Sequence, residues 1–418
     1  MRGQTGGYHE KHQQIVARVT RLPDPAFFPD QRCRRRGQGG QGKDRHRSGH
    51  LSLSGPLAGG VAISGGKIYE LWVNEVNKDG GIYVEEYGRK LPVELKRYDD
   101  KSDIGTMANL IEKLILEDKV DFLFPPWGTA WLFAAAPIAN KYGYILIGGP
   151  GGALKLKQID LPYFFQVLNF SDTQAPALAE IFEEVGVKTA AVVYRGDLHG
   201  IEYGEAMVPF FEERGIEVKM KKSYPPGIKD MSSLLKEADG LNVDAFVAAC
   251  YPDGGMMLTS QSMELGINFN AFFMTVLPFS PSLFKGTFGE RGVEGVMGGG
   301  AWNAKTSPGA RDLVDKFVNL FGEEPDYWGG LYYWASLQHF RQAIEKAGTL
   351  DQKKIRDIMA SERFDTALGP YWYDEDRYFV NHPGEIGQWQ KGVFEVIDVG
   401  EKRTAPPLYP KPPWPKKK

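Results

Sequence analysis

Two loops of this chain carry residue types suited to receiving an anion. The first, Pro125-Pro126-Trp127-Gly128-Thr129, follows the apolar run Val120–Phe124 and feeds a helical pattern over Thr129–Tyr142. Gly128 permits close approach to the backbone, the Thr129 hydroxyl can donate, and a helix N-terminus favours a carboxylate. An ordinary N-cap threonine is the alternative. The second loop is Gly148-Gly149-Pro150-Gly151-Gly152, and no Lys-Ser/Thr follows it as a Walker phosphate loop requires. Catalytic chemistry finds little to work with. There is no GxSxG elbow, no HExxH and no Cys/His cluster at zinc spacing. The sequence therefore nominates no catalytic residue, no metal ligand and no cofactor. Asp99-Asp100 follows a strand, but adjacent strand residues point to opposite faces, so the pair reads as a solvated turn.

The elements that must position these loops alternate. Leu51–Asp100 reads as one βαβ unit: a short strand breaking at Gly55-Pro56, a helix, then a strand with alternating Val93 and Leu95. Ile63, Tyr69, Leu71, Trp72 and Val76 stripe that helix, and the run Asn77–Gly81 stops it. Its Gly-rich turn is a further place for an anion. Helices over Ile104–Leu116, Asp172–Val185, Glu202–Arg214, Met231–Ala238 and Gly255–Leu265 alternate with strands at Tyr144–Ile147, Thr189–Tyr194, Glu217–Lys221, Ala245–Ala249 and Ala271–Val276. Such alternation predicts an α/β fold with parallel sheets. One sheet of so many strands would be unusually wide, which favours two lobes. Irregular Gly/Pro-bearing stretches at Phe164–Ser171, Gly298–Asn303 and Thr366–Trp372 are candidate crossings between them.

Composition narrows the class further. The chain has 418 residues, enough for two cores, with 50 Lys and Arg against 53 Asp and Glu. That balance makes no case for nucleic-acid binding. Residues 1–50 hold 11 Lys or Arg and 4 Asp or Glu, leaving 39 against 49 for an acidic remainder. Only Cys33 and Cys250 occur, so a structural disulfide is not expected. Residues 1–50 show no apolar h-region with a small-residue cleavage site, hence no recognisable signal peptide. Three readings fit them: a basic tail, a disordered extension, or a mistranslated frame, the last favoured by the abrupt start of ordered pattern at Leu51. The Pro/Lys-rich stretch 401–418 is expected to be extended, with Trp414 either packed back or, as favoured, at a solvated end.

The run Ser52-Leu53-Ser54-Gly55-Pro56, the helix stop Asn77–Gly81 and Tyr98-Asp99-Asp100, in that order, resemble type I periplasmic binding proteins. These are the branched-chain amino-acid binders of ABC transporters, and the likeness extends to about Val399. The resemblance implies two doubly wound parallel-sheet lobes joined by a hinge crossed three times. Lobe one would be 51–168 plus 302–365, and lobe two 169–300 plus 367–400. It places Thr129 against a ligand carboxylate and Gly152 where a Ser or Thr is usual. That leaves Gly151 and Gly152 to donate through backbone N–H groups beside Trp127 and Gly128. His199-Gly200 stands where Tyr-Gly is common, as a lid or a surface residue. Tyr251 matches a Tyr that covers the ligand, and Asp253 lies near it or caps the next helix. Leu277 stands about where the family's acid holds an ammonium, so the ligand either finds another acid, such as Asp253, or lacks that charge. Trp127, Trp131, Tyr251, Phe279 and Trp302 make an apolar or aromatic carboxylate plausible. The implied function is that of a monomeric periplasmic solute-binding protein delivering a small carboxylate to an ABC permease. A cytoplasmic ligand-sensing regulator on the same fold is the alternative.

Overall fold

Helix-separated strands build two parallel-rich sheets in the computed structural model, which describes residues 46–50, 53–147 and 151–415. The smaller sheet runs Val93–Arg97, His46–His50, Phe122–Leu123, Leu146–Ile147, Phe164–Phe165, all parallel. The larger has seven strands. Val296–Gly299, Ala271–Met274, Ala245–Ala249, Thr189–Arg195 and Glu217–Tyr224 run parallel. The antiparallel pair Ile386–Gln390 and Val393–Val396 is added at one edge. The parallel strands of each sheet end at one edge, where their loops feed helix N-termini.

Periodicity placed most helices well. In Gly65–Lys78 the buried residues include Tyr69, Leu71, Trp72 and Val76, the expected stripe. Helix Ile104–Leu116 has the expected bounds, fixed at its start by Asp103, whose carboxylate accepts the Thr106 N–H at 2.7 Å.

Five expectations need correction. The second strand of the smaller sheet is His46–His50, from inside the segment set aside as 1–50; it pairs in register His46 to Val93 and Ser48 to Phe122. A ladder requires backbone N–H and C=O groups, which any such sequence supplies, so an apolar pattern missed it. The arginine run and Cys33 lie outside the described residues, as do Leu51 and Ser52. Second, Thr366–Trp372 does not lead into the larger sheet. Phe364–Thr366 and Gly369–Tyr371 form a hairpin, and the chain enters that sheet at Ile386 after running beside the Gln166–Asn169 stretch. Third, two helices start earlier than their apolar pattern: Leu198–Glu213, capped by Asp197, and Pro252–Leu265, with proline at its first position. Fourth, Trp414 is not solvated: its Nε1 donates to the Ile267 carbonyl at 2.7 Å and its ring meets Phe272 edge-on. Fifth, Asp100 is buried rather than solvated, accepting the Ser102 N–H, while Asp99 ties down Leu53 and Ser54. The Ser54 hydroxyl, with backbone N–H groups, lowers the Asp99 carboxyl to about 2.

Candidate ligand-binding site

Loops from both sheets converge on one narrow pocket. Four helices start beside it: Thr129–Lys141, Leu198–Glu213, Pro252–Leu265 and Gly329–Ala347. Three of these starts already have an acid. Asp197 accepts the Gly200 N–H, Asp253 the Gly254 N–H, and Asp326 the Trp328 N–H. Helix Thr129–Lys141 differs. Its N-cap, Gly128, has no side chain to offer, and its first turn holds no acid. Its positive end and first N–H groups are thus the pocket's open anion seat.

Around that seat the expected residues largely come together. Thr129, Trp127, Gly151, Gly152, His199 and Tyr251 all line the pocket. Gly128 is the helix N-cap at φ 109°, a backbone that L side chains rarely adopt, and it stands at the back of the Thr129 turn. The Tyr251 oxygen meets both the Thr129 N–H and its hydroxyl, so phenol and helix terminus are already complementary. Trp127 lies flat across Gly60, where any Cβ would come within 2.4 Å of the indole. Its buried Nε1 has no partner among the described residues.

Gly151 and Gly152 are glycines for steric reasons. A Cβ at Gly151 would fall 2.7 Å from Leu132, and one at Gly152 would fall 2.5 Å from the Tyr203 hydroxyl. Tyr203 therefore occupies the space a Ser or Thr would use at 152, and it donates to Gln174 at 2.8 Å. Gln166 Nε2 holds the Gly151 carbonyl and the Ser171 N–H holds that of Gly152. Gly148, Gly149 and Pro150 lie outside the described residues.

His199 is an inner wall rather than a surface residue. Its ring stacks on Tyr251 at 5.0 Å and 14°, and Nε2 lies 3.2 Å from the Thr275 hydroxyl. Burial, reinforced by the Arg195 charge, lowers its pKa to about 3, so the imidazole is neutral. Asp253 does not line the pocket. Half exposed, it pairs with Arg195 at 3.3 Å, whose guanidinium lies over Tyr251. It therefore is not positioned to hold a ligand ammonium.

The turn after strand Ala271–Met274 also departs from expectation. Leu277 turns away from the pocket: at φ 104° it packs on Gly255, while Val276 faces the ligand space. A leucine in that conformation costs about 1–3 kcal/mol and is held only by its surroundings. The wall is apolar either way. Trp131 and Trp302 are not in this lining, and the opening Gly-rich turn contributes only Ser64, at the break between helices Ala58–Ile63 and Gly65–Lys78. Sequence reasoning missed Ser64, Leu168, Val276, Trp328, Gly329 and Tyr333. The aromatic run Tyr327–Trp334 around Gly329-Gly330 was the available signal for the last three.

Among the described residues, no charged side chain lines the pocket. Two sheets, a shared apolar pocket and one open helix terminus define a small-molecule binder. The chain belongs to the periplasmic binding protein family, whose sequence profile matches residues 50–393; its members are binders, not enzymes. A leucine-, isoleucine-, valine-, threonine- and alanine-binding protein of Pseudomonas aeruginosa is 23% identical over 348 residues, covering 82% of this chain and 90% of that one. Two solved structures share the type I fold. The branched-chain amino acid transporter substrate-binding protein of Streptococcus pneumoniae, in complex with isoleucine, has TM-score 0.71 at 19% identity, covering 84% and 98% of the two chains. A solute-binding protein of an ABC transporter from Rhodopseudomonas palustris, in complex with benzoate, has TM-score 0.72 at 19% identity, covering 87% and 98%. No helix among the described residues is long and apolar enough to cross a membrane.

Proposed function

We propose that this protein is an extracytoplasmic receptor for a small carboxylate that lacks an ammonium group, an aromatic carboxylate above all, and that it hands this ligand as a monomer to an ABC permease. The observation that carries the reading is the pairing of a helix start at Thr129 that no acid caps with walls that, among the described residues, hold no charged side chain. The carboxylate would take the Thr129 N–H and hydroxyl, displacing the Tyr251 oxygen, with the Gly151-Gly152 turn and the Trp127 indole N–H beside it. Hydrogen bonds to a charged group contribute about 1.5–3 kcal/mol each. His199, Tyr251, Phe279 and Trp328 would then enclose an apolar ring.

An α-amino acid fits less well. Its ammonium would be buried against Val276 and Phe279 with no acid among the described lining residues, a cost of several kcal/mol. The similarity to a benzoate-binding neighbour supports the aromatic arm, and that to leucine binders supports the general class. Loops from the two sheets supply opposite walls, which suits lobes that close around the guest: a ligand touching both favours the shut state. Isothermal titration with benzoate and with leucine tests the proposal. Benzoate is expected to bind and leucine to bind more weakly or not at all; tight leucine binding without benzoate binding refutes it.

A further inference from the structure

Of the polar groups lining the pocket that a carboxylate at Thr129 leaves unused, the Tyr333 hydroxyl is buried and, among the described residues, unpaired. Tyr333 sits one turn into helix Gly329–Ala347 and lines the wall. Its hydroxyl is buried and has no hydrogen-bond partner among the described residues. The ring lies there because residue 329 has no side chain: a Cβ would fall 2.4 Å from the Tyr333 ring and 2.9 Å from its hydroxyl. Burial, then the Tyr69 and Asp326 charges, keeps the phenol protonated well beyond its ordinary range.

A buried hydroxyl left unpaired costs about 1–3 kcal/mol, and a phenol both donates and accepts. Its natural complement is a group that does the same. A ring hydroxyl qualifies; a methyl offers nothing, and an ammonium only donates.

We propose that Tyr333 is a specificity-determining residue that recognises a hydroxyl on the ligand's ring, so that the site prefers a hydroxybenzoate to benzoate. This rests on the ammonium-free carboxylate reading above. A site built to bond a ligand hydroxyl discriminates strongly against the analogue without it, because its own group is then stranded.

The test is titration calorimetry on the full chain with benzoate, its ortho, meta and para hydroxy derivatives, and phenylalanine. At least one hydroxy isomer is expected to bind about tenfold more tightly than benzoate. In Tyr333→Phe the ratio of those two dissociation constants should fall toward one. The inference is overturned if no hydroxy isomer outbinds benzoate, or if the folded variant keeps the wild-type ratio. The isomer series needs no variant, so it decides alone should Tyr333→Phe fail to fold. Binding of phenylalanine with no benzoate of any kind overturns the carboxylate reading itself, a result distinct from equal binding of all benzoates.

Discussion

The pocket and the chain crossing behind it treat buried polar groups in opposite ways. In the pocket there are donors without acids: the start of helix Thr129–Lys141, Trp127 Nε1 and the Tyr333 hydroxyl. At the crossing there are acids whose donors are all in place. Glu385 accepts from Asn169 Nδ2 at 2.7 Å and Thr173 Oγ1 at 2.9 Å, and Asp398 accepts the N–H groups of Glu385 and Ile386 at 2.6 and 2.9 Å. Trp328 belongs to both regions, its ring lining the pocket and its Nε1 donating to Asn169 Oδ1 at 2.5 Å. Satisfied acids hold the frame; surplus donors mark where a guest belongs.

The strongest way to break this contrast is to give the pocket its own acid at the seat. Thr129→Asp would place a carboxylate on the free helix N–H groups, and affinity for benzoate should fall at least about 100-fold while the fold persists. Thr129→Ala, which deletes only the hydroxyl, should cost about tenfold. Calorimetry with circular dichroism separates the two effects; a Thr129→Asp variant that binds like wild type means the anion sits elsewhere. Next in size is an acid on the opposite wall. Val276→Glu restores a partner for an ammonium, so benzoate affinity should drop about tenfold and leucine binding should emerge. Unchanged affinities for both ligands would remove Val276 from the ligand space.

How far the sequence foretold each region follows the same division. The carboxylate seat was legible because it is local: Gly128, Thr129 and the strand before them are consecutive, and helix-terminus chemistry is a short-range rule. Thr189–Arg195 and Ala245–Ala249 were legible for similar reasons, as apolar runs between helical patterns. Tyr333, Trp328 and Ser64 were not, because they reach the pocket only through tertiary packing. Nothing local tells which of Val276 and Leu277 turns inward; the packing of Leu277 on Gly255 decides it. His46–His50 was hidden because its place in the sheet depends on partner strands rather than on its own pattern. Asp253 illustrates the reverse error, a residue near the pocket in sequence that an ion pair with Arg195 draws away from it.

At the crossing, a neutralising substitution should alter stability rather than binding. Glu385 is held up to about 8, first by burial and then by the Asp398 charge. The native state thus keeps a proton that the unfolded chain releases above its ordinary carboxylate pKa. Stability from this group is therefore greatest at low pH and is lost as pH rises through about 8. Glu385→Gln removes the ionisation, so its unfolding free energy should improve relative to wild type between about pH 5 and 8, by about 1 kcal/mol after discounting residual solvent access. Urea unfolding at both pH values measures this; parallel pH dependence of the two proteins would mean that Glu385 is ionised in the native state.

The smallest effect should come from Asp253, and it bears on the contrast most directly. It stands two residues after Tyr251, so a charge there would be the obvious rescue for a buried ammonium if the side chain faced inward. Its carboxylate instead pairs with Arg195 at a half-exposed position, where such pairs contribute about 0–1 kcal/mol. Asp253→Asn should accordingly change benzoate affinity by less than about threefold, with melting temperature nearly constant. A loss of tenfold or more would mean that the Arg195 guanidinium, freed from its partner, reorders the Tyr251 ring beneath it, and that the pocket's neutrality depends on a charge pair just outside its wall.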